Sequence, residues 1–159
     1  MKHLFILFAL LLATTATANP AVRTISIAHP YGHPTAAPGV PGVGFLTLTN
    51  TGKKADRLLA VSSPLAGSVE IHQSKVENGV MKMRALTQGV VLPAGQSVVL
   101  SPGDLHLMLF ELRAPLVVGD RVPLQLTFER AGQVMATLLV EPREPPADTA
   151  HEHHADHQH

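Results

Sequence analysis

The 159-residue chain contains no cysteine. Without thiol there is no disulfide framework, no thiolate-bound zinc, no blue-copper electron-transfer centre and no lipobox for acylation. Tryptophan is absent, and all aromatics together make up 4% of the residues. Neither sign of charge is in excess, with 12 basic against 12 acidic residues. No basic stripe exists to hold nucleic acid, and steering by net charge is weak. Long amphipathic helical patterns and internal repeats are both missing, which argues against bundles, solenoids and propellers. Long apolar runs are missing too, apart from Leu4 to Leu12 near the start.

That one run follows Lys2 and His3 and leads into a small-residue region ending Ala16-Thr-Ala18. It reads as a secretory signal peptide over residues 1–18, too short in its apolar part to span a bilayer, with Asn19 as the first mature residue. A periplasmic destination follows, with no membrane insertion of the mature chain. What remains is long enough for one domain with a real core, assigned to residues 19–142.

From Val22 to Glu141 the chain alternates between short runs of period two and turn-forming clusters. Strands are expected at Val22 to Ala28, Val43 to Thr49, Arg57 to Ser62, Ser68 to His72, Val80 to Leu86, Ser97 to Leu100, His106 to Leu112, Val122 to Glu129 and Gln133 to Val140. Asn50-Thr-Gly52, Pro93-Ala-Gly95, Ser101-Pro-Gly-Asp104, Gly119-Asp120 and Ala131-Gly132 lie between them. Many short strands at this spacing predict an all-β sandwich of Greek-key type. The Pro- and Gly-rich stretch from Ala28 to Gly42 reads as a long loop, and its His29 and His33 as solvated side chains.

Thioether and imidazole are concentrated in one part of this body. His72 is followed after ten residues by Met83, and Met83 after twenty-two by His106-Leu-Met108. Asn78-Gly79 is a strong hairpin signal. A turn there sets Ser74 opposite Met83 and His72 opposite the small Ala85. His72 and Met83 then become diagonal neighbours on one face, with Met81 on that face as well. Alternation likewise puts His106 and Met108 on one side of their strand and the flanking leucines on the other. Two segments thus each offer one imidazole and one thioether. Thioether is a poor ligand for hard or borderline cations, so a mixed Met/His cluster favours Cu(I).

After Val140 the composition turns to Pro, Glu and Asp and then to His151, His153, His154, His157 and His159. Residues 143–159 are too polar to fold alone and read as a disordered, metal-binding tail suited to Cu(II). A second reading follows from this tail: a periplasmic buffer for Zn, Ni or Cu(II), with the body as scaffold. A hydrolase built on Ser101, Asp104 and His106 is disfavoured, because no nucleophile elbow surrounds them. No enzymatic activity is expected.

The spacing His-x10-Met-x22-His-x-Met resembles that of the PCu(A)C periplasmic copper chaperones. Leu46-Thr-Leu-Thr-Asn-Thr-Gly52, Val69-Glu-Ile-His72, Asn78-Gly-Val-Met-Lys-Met83 and Pro123-Leu-Gln-Leu-Thr-Phe128 resemble the same family. The likeness covers roughly Val22 to Val140. It implies a cupredoxin-like sandwich that holds one Cu(I) through His72, Met83, His106 and Met108. It also implies delivery to the binuclear copper centre in subunit II of a haem-copper oxidase, sometimes with a thioredoxin-like Sco-type partner. One departure is local: Ala28-His-Pro-Tyr-Gly-His-Pro34 stands where related sequences often carry an Asp-Ala-Trp-Ala-Arg-like stretch.

Overall fold

The computed structural model describes residues Thr24–Arg143; the signal-peptide and histidine-tail assignments lie outside the described residues. Ten strands carry the fold. They are β1 (Ile25–Gly32), β2 (Gly42–Asn50), β3 (Asp56–Ser62), β4 (Ser68–Glu77), β5 (Val80–Ala85), β6 (Val90–Leu92), β7 (Ser97–Leu100), β8 (Leu105–Phe110), β9 (Arg121–Phe128) and β10 (Gly132–Val140). No helix occurs among the described residues. The architecture is the expected all-β, cupredoxin-like sandwich.

Hydrogen bonding runs through the order β5-β4-β8-β2-β1-β10-β9-β3-β6, with β7 also paired to β2. All pairings are antiparallel except β1 with β10, where Tyr31 lies beside Leu139 and Gly32 beside Val140. The layer folds over on itself, and Val61 opposite Val69 links β3 to β4 on the far side. Period two then sorts the side chains. On β9, Val122, Leu124, Leu126 and Phe128 point inward and are at most 2% exposed. On β8, Leu107 and Leu109 do the same at 0%. Burying each such side chain stabilises the fold by about 1.5–3 kcal/mol.

The Asn78-Gly79 hairpin forms with the expected register. His72 faces Ala85, Ser74 faces Met83 and Val76 faces Met81. Both turn residues have positive φ, 53° at Asn78 and 77° at Gly79, the type I′ geometry that these two residue types tolerate best.

Besides β4, which runs on to Glu77 instead of ending at His72, two features differ from expectation. First, β1 continues past Ala28 to Gly32, so the loop begins at His33 rather than at Ala28. The Pro-rich stretch is compatible with a strand because a bulge lies between Ala28 and Tyr31, where His29 takes φ 44° and the pairing with β2 shifts. Second, the three-residue β6 pairs with β3, and it is too short to declare a periodicity.

Candidate metal site

The site face is assembled from β5, β4, β8 and β2. Pairing of β4 with β8 sets His72 directly opposite His106 and Glu70 directly opposite Met108. Met83 on β5 faces Ser74, two residues along β4 from His72 and on the same face. Met108 in turn faces Val43 on β2. His72 is therefore the hub: His106 lies straight across from it, with Met108 diagonal on one side and Met83 diagonal on the other. Neighbours of this kind lie within reach of long side chains.

Local chemistry orients both rings. His106 is 4% exposed, and its Nδ1 donates to the carbonyl oxygen of Asp104 at 2.8 Å. That bond leaves Nε2 as the ring nitrogen with a free lone pair, a tautomer assigned from the hydrogen bonding. His72 is held the other way round. Its Nε2 donates to Glu70 Oε2 at 2.8 Å, while Nδ1 is buried with no hydrogen-bond partner. A buried acceptor without a partner costs about 1–3 kcal/mol. The ring centres of the two imidazoles lie 5.9 Å apart. Two imidazoles sharing one ion at about 2 Å from each nitrogen have ring centres roughly 5 to 6.5 Å apart, so this separation fits a common ligand.

The thioethers sit further out. Met83 is 51% exposed and Met81 57%, both on the all-exposed edge strand β5, whereas Met108 is half-buried. Ala85, across from His72, is small and exposed, so nothing bulky covers the imidazole from that side. Among the described residues, no three His, Asp or Glu side chains gather where they could hold one ion.

Beside this face opens a cavity of about 890 Å³, lined at one end by Met83, Ser74 and His106 and at the other by His29, Tyr31, His33 and Glu141. The bulge in β1 is what brings His29 and His33 here. Tyr31 stacks on His29 with ring centres 4.6 Å apart, and Phe45 tilts against both Tyr31 and His33. His29 Nε2 meets Glu141 Oε1 at 3.1 Å, and His33 Nδ1 meets the Glu141 carbonyl oxygen at 3.4 Å. Both histidines line the cavity, and His29, with its side chain 67% exposed, is also the solvated residue expected.

The Ser101, Asp104 and His106 arrangement forms no relay. His106 bonds the backbone oxygen of Asp104, and the Asp104 carboxylate accepts instead from Gln73 Nε2 at 3.0 Å.

A family model described as "Putative lipoprotein LpqE-like" matches residues 21–140. The chain belongs to the LpqE-like family. Among relatives of the LpqE-like chain, "Putative lipoprotein Lxx21020" of Leifsonia xyli subsp. xyli is 33% identical over 84 residues, which is 53% of this chain. The match spans about half, 51%, of that relative's length. A solved copper-bound PCuAC domain from PmoF2 is 25% identical, with a TM-score of 0.63 over 76% of this chain and 94% of that one. The solution structure of CuI-DR1885 from Deinococcus radiodurans shares the fold at 23% identity and TM-score 0.53, covering 79% and 85% of the two chains. The LpqE-like chain therefore has the PCuAC fold.

Two contributors to the site escaped the reading of the sequence as a row of ligands. Glu70 bonds His72, and the Asp104 carbonyl bonds His106. The first had a visible signal, a carboxylate two residues before His72 on the same strand face. A backbone carbonyl offers none.

Proposed function

We propose that the protein is a copper chaperone that holds one Cu(I) between His72, His106, Met83 and Met108 and passes it on by ligand exchange. The observation that carries this reading is the buried, partnerless Nδ1 of His72 beside a second buried imidazole whose Nδ1 is already engaged. Two imidazoles with flanking thioethers form a soft donor set that favours Cu(I) over Mg, Ca and, largely, Zn. The copper-bound PCuAC domain of like fold supports the same cargo.

Transfer follows from the exposure gradient across the donors. The histidines lie at the floor and Met83 at an exposed edge. An acceptor's thiolate or imidazole can replace the outermost thioether first, while the buried donors keep hold. Copper moves without ever being a free ion, and no catalytic group is required. The recipient in this proposal is the binuclear copper centre of a haem-copper oxidase subunit II, with a Sco-type protein as a further partner. The place is the periplasm, reached through the signal peptide. The tail's His151, His153, His154, His157 and His159 would collect Cu(II) and raise its concentration near the body, since tethering increases effective concentration without new contacts.

The test is anaerobic Cu(I) titration against a chromophoric chelator, comparing the mature chain with one ending at Arg143. Both should take one tight equivalent, and the loaded protein should metallate an apo subunit II domain. If Cu(I) is bound only when the tail is present, the body is a scaffold and the chaperone reading fails.

A further inference from the structure

Resting on the copper reading above, the geometry points to a second, unassigned role on the same face: Glu70 is the positioning residue that makes Nδ1 of His72 the copper-binding nitrogen, and its carboxylate offsets the charge of a monovalent ion.

Three observations carry this. Glu70 and His72 are two residues apart on β4 and so share a face, with the Glu70 carboxylate 2.8 Å from His72 Nε2. A carboxylate is acceptor-only, so in the neutral ring the proton sits on Nε2 and Nδ1 is left as a bare lone pair. That same Nδ1 is the one buried side-chain polar atom among the described residues without a partner. The two rings are therefore opposed in sense: His106 is tethered at Nδ1 and free at Nε2, His72 tethered at Nε2 and free at Nδ1. Without Glu70 the His72 ring could exchange tautomers, and part of the population would present an N–H where a ligand lone pair is needed.

The charge balance points the same way. Two neutral imidazoles and two thioethers leave a bound Cu(I) with its full +1, and a +1 ion in a half-buried site is poorly solvated. Glu70 sets its carboxylate on the far side of a ligand ring, 2.8 Å from His72 Nε2. One carboxylate cancels a monovalent ion and leaves a divalent one half compensated. A hydrogen bond from a ligand ring to a carboxylate also raises the ring's basicity towards metal. The position of Glu70 opposite Met108 sets this charge on the Met108 side of the site, away from Met83.

The experiment uses the full chain, uniformly 15N-labelled, in mildly alkaline buffer. Long-range 1H–15N correlation spectra report which nitrogen of His72 is protonated, with and without Cu(I). In the wild type, His72 should be the Nε2–H tautomer before copper, and the Nδ1 signal should shift on loading. Glu70→Gln keeps an acceptor for Nε2–H but loses the charge. It should retain the tautomer and bind Cu(I) more weakly than wild type. Glu70→Ala removes both, so His72 should become a tautomer mixture and Cu(I) affinity should fall roughly 10- to 100-fold, the usual range for loss of an outer-shell partner. His106 serves as the internal control, since its Asp104 partner is untouched in both variants. An unchanged His72 tautomer in Glu70→Ala, or copper attached at Nε2, overturns the role of Glu70 while leaving the chaperone reading intact. A wild-type chain that takes up no Cu(I) at either ring overturns both.

Discussion

Changing Met83 and Met108 together to Leu separates sulfur from shape. Leu keeps the apolar bulk and β-compatible backbone of Met and removes only the thioether. Met83 is half-exposed on an edge strand and packs little, so its replacement should alter stability by no more than about 0.5 kcal/mol. Met108 is half-buried beside Val43, and a volume-conserving swap there should cost less than about 1.5 kcal/mol. The apo variant should therefore fold, with a melting temperature within a few degrees of wild type. Copper is a different matter. Loss of even an outer-shell partner costs a metal site about 10- to 100-fold, so if the proposed ligand set holds, losing both thioethers should weaken Cu(I) binding by at least about 100-fold. That factor corresponds to about 2.8 kcal/mol of binding free energy. Competition with a chromophoric Cu(I) chelator measures it, and a thermal melt of the apo protein checks the fold. Wild-type affinity in a folded double variant would refute the thioether site, whatever else the protein binds.

Other perturbations test the frame around the site. Gly89 has φ 70°, and a Cβ there would collide with the carbonyl oxygen of Leu58, so Gly89→Ala should destabilise by more than the roughly 1 kcal/mol of an ordinary strained glycine, read by urea denaturation. Asp56 is 5% exposed and its carboxylate accepts from the backbone N–H groups of Arg57, Arg130 and Ala131. Asp56→Ala strands those donors and should cost about 2–4 kcal/mol, whereas Asp56→Asn should recover part of the loss. Leu107→Ala, at a fully buried position on the strand that carries His106, should cost about 2–5 kcal/mol in the same assay. Deleting Thr149 to His159 should lower the number of Cu(II) ions bound per chain and leave the Cu(I) equivalent in place; unchanged Cu(II) stoichiometry would remove the tail from the scheme.

How much of this was legible before any coordinates depends on the range of the interaction. The β4–β5 hairpin was fully readable, because Asn78-Gly79 dictates a turn and the turn dictates every pair behind it. The inward leucines of β8 were readable from alternation, and with them the shared face of His106 and Met108. The meeting of His72 with His106 was not, since no local pattern says which distant strand β4 will choose; only the family resemblance joined them. The bulge at His29 was hidden behind two prolines and a glycine, residues that usually announce a loop. With it went the placement of His29 and His33 on the cavity wall.

The single parallel pairing, β1 beside β10, gives the molecule two unlike poles. Val140 lies level with Gly32, at the end of β1. Ile25, at the start of β1, is seven residues back, about 23 Å away at strand rise. The chain therefore enters at one pole and leaves at the other. His33, Glu141 and Arg143 line the cavity at the exit pole, with Met83 and His106 across the same opening. The cavity, with Met83 and His106 on its wall, thus opens at the pole opposite to Thr24.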